Sequence, residues 1–160
     1  MSGWNTLTLD QVKPGQALPE LACDVTATTV VLGALASRDW RPMHHDKDFA
    51  QHRNGVRDIF LNTPNQAAWF ERYLTDWTGP TGRLGRVKFR MRDSVFPVDR
   101  MVFRGTVEKA GRDETGCAFV DVAVKLAVGD RVCTECAARI AIPAVPGDNP
   151  WQRTGADWRP

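Results

Sequence analysis

Asn62-Thr-Pro-Asn-Gln-Ala-Ala-Trp-Phe-Glu-Arg-Tyr-Leu-Thr-Asp-Trp-Thr-Gly79 decides the architecture, because it reads as one amphipathic helix over Asn62–Trp77. Thr63-Pro64-Asn65-Gln66 opens it, with a cap residue, a proline in the first turn where no N–H is needed, and a glutamine at the capping-box position. Phe70, Tyr73, Leu74 and Trp77 then fall at i, i+3, i+4 and i+7 and make one apolar face. Gly79-Pro80 stops the helix. A helix of about four turns with one apolar stripe needs a broad surface to lie on.

The second half of the chain supplies that surface. Arg86 to Arg92 alternates basic and apolar residues with period two, and Arg100 to Val107 continues as a second strand. Ala118, Val120, Val122, Val124 and Leu126 form one face of a third. Gly129-Asp130 turns the chain into a fourth, Arg131 to Ile142. These runs read as an antiparallel meander. Upstream, residues 1–22 are a lead-in with turn residues between Lys13 and Pro19. Asp24 to Leu35 is expected to start as a strand and end as a helix. The order of elements implies an α+β fold, with an antiparallel curled sheet wrapped around one long central helix. The domain is expected to occupy residues 1–142. Residues 143–160, with four prolines and two tryptophans, form an irregular tail that drapes over the sheet or meets a partner.

Composition bounds the function. At 160 residues the chain is one domain with room for a core, and 42% hydrophobic with 25% charged residues fits a soluble globular protein. A net charge of +2 lacks the basic excess expected of a nucleic-acid binder. No apolar run reaches membrane-span length, and the first residues lack the pattern of a secretion signal, so a cytoplasmic location is expected. Cys23, Cys117, Cys133 and Cys136 are then free thiols. Cys133-Thr-Glu-Cys136 has C-x-x-C spacing, but it lies inside a strand-like run with no second ligand pair nearby. No metal site and no redox role are expected of it.

The chemistry concentrates in Ser37-Arg38-Asp39-Trp40-Arg41-Pro42-Met43-His44-His45-Asp46-Lys47-Asp48-Phe49-Ala50. Asp39 stands five residues before His44. Pro42 between them fixes its own φ and pushes Arg41 toward extended backbone. A carboxylate and an imidazole held on one stiff loop suffice to grip and activate one water. The alternative is ordinary turn chemistry, with Asp39 closing a turn and Asp46 capping the short helix after it. His45 and His52 read as surface histidines.

The loop and the order of elements resemble a single hotdog domain of the MaoC-like, R-specific enoyl-CoA hydratase family. That family's loop runs Asp-x-Asn-Pro-Leu-His, followed by a short helix with a small residue. Here the corresponding residues are Asp39, Arg41, Pro42, Met43, His44 and Ala50. Val87 to Pro97, followed by Asp99, is similar to the family's arginine-phenylalanine strand, and the likeness runs over about residues 10–142. The double histidine His44-His45, Asp58 to Asn62 and Tyr73-Leu-Thr-Asp-Trp77 resemble the branch that hydrates steroid side-chain enoyl-CoA thioesters, in which a small catalytic chain pairs with a larger MaoC-like one. Two positions depart from the pattern. Arg41 replaces an asparagine that helps hold the water, and Asn62 stands where glycine is common.

The resemblance implies an enoyl-CoA hydratase acting on a bulky, steroid-type acyl-CoA, with Asp39 and His44 as the catalytic dyad. Coenzyme A enters only as part of the substrate, and no other cofactor is implied. The start of the long helix, around Asn62, is expected to bind the substrate, with backbone N–H groups at the thioester oxygen. A homodimer or a heteromer with a larger MaoC-like subunit is expected. A non-catalytic hotdog partner and a hotdog thioesterase are the alternatives; the second would want an acid near the long helix, where only Glu71 and Asp76 stand. Arg86, Lys88, Arg90 and Arg92 share one strand face and serve either as a solvated, edge-protecting row or as contacts for phosphate.

Overall fold

A computed structural model describes residues 6–159. Five strands, β1 (Leu21–Asp24), β2 (Arg83–Met91), β3 (Arg100–Arg112), β4 (Ala118–Val128) and β5 (Arg131–Ala141), form one antiparallel sheet. Three helices, α1 (Ala27–Ala36), α2 (Lys47–His52) and α3 (Thr63–Thr78), lie between β1 and β2. The strand order is β1-β3-β4-β5-β2. This is the hotdog arrangement: the sheet curls around α3.

The long helix forms where its periodicity places it, shifted slightly. Asn62 is the cap, its side chain accepting from the Asn65 N–H at 3.0 Å, and Thr63 is the first helical residue. Gln66 lies one position past the capping box, and its Oε1 accepts from Thr134 Oγ on β5 at 2.7 Å instead. Gly79, with φ 79°, ends the helix. Phe70, Tyr73 and Leu74 are buried, whereas Trp77 is only half-buried. Phe70 meets Phe103 edge-on at 5.0 Å and Phe89 at 5.3 Å, while Tyr73 stacks on Phe103 at 5.7 Å. These rings join α3 to β2 and β3 and form the centre of the core.

Two expectations are corrected. The strand expected to start at Asp24 ends there, and the helix expected only at the end of the segment begins early, because Thr26 caps a helix that takes up Ala27–Ala36. Its hydroxyl accepts from the Thr29 N–H at 3.1 Å while the Thr29 hydroxyl faces the Thr26 N–H at 3.3 Å. This reciprocal cap overrides the β-branched composition of the segment. The second correction concerns pairing. β3, β4 and β5 form a meander, but β2 does not join β3; the chain crosses over and β2 pairs with β5, leaving β2 as an edge. Periodicity reports which face a residue takes, not which neighbour its strand chooses. The first five residues of the lead-in lie outside the described residues. The rest of the lead-in carries a short 3-10 turn, and β1 begins at Leu21.

Beyond β5 the tail makes two 3-10 turns and folds back on the domain. Arg83 holds it: its guanidinium lies 3.7 Å from the Trp158 ring centroid and 5.5 Å from that of Trp151. The same group donates to the Pro150 and Arg153 carbonyls at 3.2 and 2.8 Å. Both tail tryptophans thus sit on one cation.

The crossover from β2 to β3 contains a strained turn. The Asp99 N–H bonds the Phe96 carbonyl at 3.2 Å, and Val98 between them has φ 68° with 89% of its surface exposed. A β-branched residue in the left-handed region pays a steric cost that glycine avoids. Val98→Gly is therefore expected to stabilise the chain by about 1 kcal/mol, roughly 2–4 °C in melting temperature. Thermal or chemical denaturation reads this directly, and an equal or lower midpoint would show that the turn carries no such strain.

Candidate functional site

The end of α1 aims Asp39. The chain leaves the helix through a Schellman closure, in which the Asp39 N–H reaches the Ala34 carbonyl at 2.9 Å and the Arg38 N–H reaches Leu35 at 3.0 Å. Arg38 takes the left-handed position usual for glycine, with φ 54°. Arg41 is extended before Pro42, and Pro42–His44 forms a 3-10 turn. The loop therefore brings Asp39 and His44 together, as their spacing implied. Asp46 is the cap of α2, accepting from the Phe49 N–H at 3.0 Å. His45 and His52 are exposed, and Ala50 is fully buried.

His44 is 2% exposed and packs edge-on against Phe60, with ring centroids 4.9 Å apart. Its Nδ1 lies 2.8 Å from the Phe60 carbonyl oxygen. A carbonyl can only accept, so Nδ1 carries a proton, and in the neutral tautomer that this leaves open Nε2 is the accepting nitrogen. Nε2 makes no hydrogen bond within the protein and stands 3.5 Å from Asp39 Oδ2.

Asp39 is tightly held. Arg41 donates to both carboxylate oxygens, Nε to Oδ1 at 2.8 Å and Nη2 to Oδ2 at 2.7 Å. Asn62 Nδ2 adds a bond to Oδ2 at 3.0 Å. The Arg41 fork keeps the Asp39 carboxyl well below the usual carboxylate range; burial opposes this, and the Asn62 amide and His44 reinforce it. Asp39 is an anion throughout the working range.

Asn62 stands at the junction. Its Nδ2 donates to Ser37 Oγ at 2.8 Å as well as to Asp39, and its Oδ1 caps α3. It is 1% exposed. An amide thus reaches Asp39 from a different element, while position 41 holds arginine. Local spacing could not show this, since residues 39 and 62 are joined only by the fold. The cap also narrows the donors at the helix start. Pro64 has no N–H, Asn65 N–H is bound by the Asn62 side chain and Gln66 N–H by the Asn62 carbonyl at 3.1 Å. Among the described residues, Thr63 N–H is the donor of that turn left without a partner.

A cleft of about 290 Å³ opens at this place, lined by Met43, His44, Asn62, Thr63, Gln66 and Met91 among others. Arg41 and Arg92 stand at its polar side, and Arg92 is paired with Glu135 at 2.6 Å. Glu71 and Asp76 are exposed and line no part of it. Arg86, Lys88 and Arg90 are exposed on the edge strand and do not line this cleft. Cys133 and Cys136 lie buried in β5; burial pushes both thiols up, Cys136 to about 12. Such thiols are poor nucleophiles. Among the described residues no three histidine, cysteine or acidic side chains converge as a metal-ligand set. Among the same residues, no helix is long and apolar enough to cross a membrane.

Comparison with known proteins places this geometry. No family model matches the chain. Over 118 residues it is 34% identical to the 3-oxo-4,17-pregnadiene-20-carboxyl-CoA hydratase beta subunit of Mycobacterium tuberculosis, covering 74% of this chain and 88% of that protein. The fold superposes on the crystal structure of the ChsH1–ChsH2 complex from Mycobacterium tuberculosis with a TM-score of 0.74 at 28% identity, covering 81% of this chain and 98% of that one. The (R)-hydratase from A. caviae involved in PHA biosynthesis gives 0.73 at 19% identity, covering 82% of this chain and 98% of that one. A MaoC-like dehydratase from Rhodospirillum rubrum gives 0.76 at 18%, covering 88% and 99%. These last two speak for the hotdog fold alone. The sequence match and the hotdog fold together place the chain in the MaoC-like hydratase family, as a relative of the steroid side-chain hydratase beta subunit.

Proposed function

We propose that this chain hydrates the α,β double bond of a bulky, steroid-type acyl-CoA thioester, using Asp39 and His44, as the small subunit of a heteromer with a larger MaoC-like chain. The observation that carries the reading is His44 Nε2, without a protein partner and 3.5 Å from Asp39 Oδ2, with His44 and Asn62 lining the cleft at the start of α3. One water can bond both atoms at once. His44 Nε2 takes one of its protons as the oxygen adds to the β-carbon, and Asp39 accepts a hydrogen bond from the other. The proton on His44 then passes to the α-carbon, so that one water adds across the double bond and the dyad is restored. Charge developing on the thioester oxygen is met by the Thr63 N–H and the positive end of α3. Coenzyme A takes part as the substrate's carrier, and no other cofactor is needed.

The bulky substrate is supported by the relative, whose name specifies a pregnadiene carboxyl-CoA. The partner is supported by the ChsH1–ChsH2 complex and by two features of this chain. The cleft of about 290 Å³ is at the small end for a ligand site and small for a polycyclic acyl thioester. β2 also leaves a nine-residue edge open, and edges of that length are normally paired or covered. Light scattering is expected to find the chain in a dimer or in a complex with a larger subunit whenever it is active. Full hydration by a strictly monomeric sample would contradict the assembly. A steroid enoyl-CoA is expected to be preferred over a short straight-chain one, and the opposite preference would contradict the substrate class.

A further inference from the structure

Arg41 stands where the family's pattern has asparagine, and its guanidinium takes up both oxygens of the carboxylate that faces the water site. A fork of this kind fixes a carboxylate's rotamer and plane far more tightly than a single amide does. The anchor is itself on the surface: the Arg41 side chain is 62% exposed, whereas that of Asp39 is 9% exposed. We propose that Arg41 is a positioning residue that clamps Asp39 in one rotamer, with Oδ2 aimed at the water, and thereby reserves proton uptake for His44 Nε2. This rests on the hydration reading above.

The surroundings leave Arg41 as the charge that decides. Asp39 touches Ser37 only through Asn62, and both are neutral. Across the cleft, Arg92 is tied to Glu135 at 2.6 Å and Asp93 to Arg131 at 2.7 Å. His44 is the remaining titratable partner, and Asp39 Oδ2 lies between it and Arg41, at 3.5 Å from Nε2 and 2.7 Å from Nη2. With the guanidinium present, a proton arriving at the dyad has one place to go. With it removed, the carboxylate can take the proton as well, and the pair holds that proton more tightly.

The test compares the full chain, assembled with any partner its activity needs, with Arg41→Met, Arg41→Lys and, as a surface control, Arg53→Met. Carboxyl carbon NMR follows Asp39, identified by loss of its signal in Asp39→Asn. In the wild type the carboxylate is expected to stay ionised below the ordinary carboxylate range. In Arg41→Met it is expected to titrate at about pH 4 or above. On a steroid enoyl-CoA, the acid limb of kcat/KM is expected to move up by about half to one pH unit in Arg41→Met. Arg41→Lys, which keeps the charge and loses the fork, should restore the limb and leave kcat reduced. Arg53→Met should change neither. An unmoved Asp39 titration, or an unmoved acid limb in an active Arg41→Met sample, would overturn the proposal. If Asp39 titrates as expected but no hydration of the steroid thioester is found in any sample, the hydration reading fails while the electrostatic clamp stands.

Discussion

Asp39→Asn and His44→Ala are each expected to lose a factor of about 10²–10⁴ in hydration rate while the protein keeps its fold, the usual cost of removing a positioned proton-transfer group from a water site. The two variants fail for different reasons. His44→Ala removes Nε2, the ring nitrogen left without a protein partner while Nδ1 donates to the Phe60 carbonyl. Asp39→Asn keeps the shape but offers Arg41 a neutral group, so the fork at 2.7 and 2.8 Å loses its charge partner along with the water's acceptor. The double variant should be little worse than either single one, as is usual for residues that act on one water. Circular dichroism and gel filtration check the fold, and the rate of enoyl thioester consumption checks the chemistry. Near-normal turnover in either folded variant would remove the residue from the mechanism.

Phe70→Ala carries the largest expected effect on stability. Phe70 is fully buried and meets the rings of Phe89 and Phe103 at 5.3 and 5.0 Å, so its loss opens a hole where α3 meets β2 and β3. Such a truncation costs about 3–5 kcal/mol, roughly 6–20 °C in melting temperature for a chain of this length. The start of α3 carries Asn62 and Thr63, so loosening the helix should also lower turnover. A melting temperature within about 2 °C of the wild type would show that α3 does not rely on this face.

How much of this was readable in the sequence depends on whether the information is local. The helix from Asn62 to Trp77 was readable because its aromatic residues repeat at helical spacing, and a glycine ends it. Asp39 and His44 were readable because one short loop with a proline holds both. The helical end of the Asp24–Leu35 segment was readable but the start of α1 was not, because Val30, Val31 and the threonines around them favour strands in isolation, and the deciding signal was the paired caps of Thr26 and Thr29. The pairing of β2 with β5 was hidden for another reason: alternation marks faces and says nothing of partners. The same holds for Asn62, which reaches Asp39 across 23 residues of chain. Arg41 showed as a departure from a pattern, but its grip on both oxygens of Asp39 needed coordinates. The tail was left between draping and partner contact, and Arg83 between two tryptophans shows that it drapes.

Incubation of the full chain, with a larger MaoC-like partner where one is needed, with a steroid enoyl-CoA and mass analysis of the thioester tests the central claim most directly. The thioester is expected to gain one water and stay joined to coenzyme A, and Asp39→Asn is expected to prevent the gain. Release of free coenzyme A, or a thioester left unchanged by a folded and assembled wild-type sample, would contradict it.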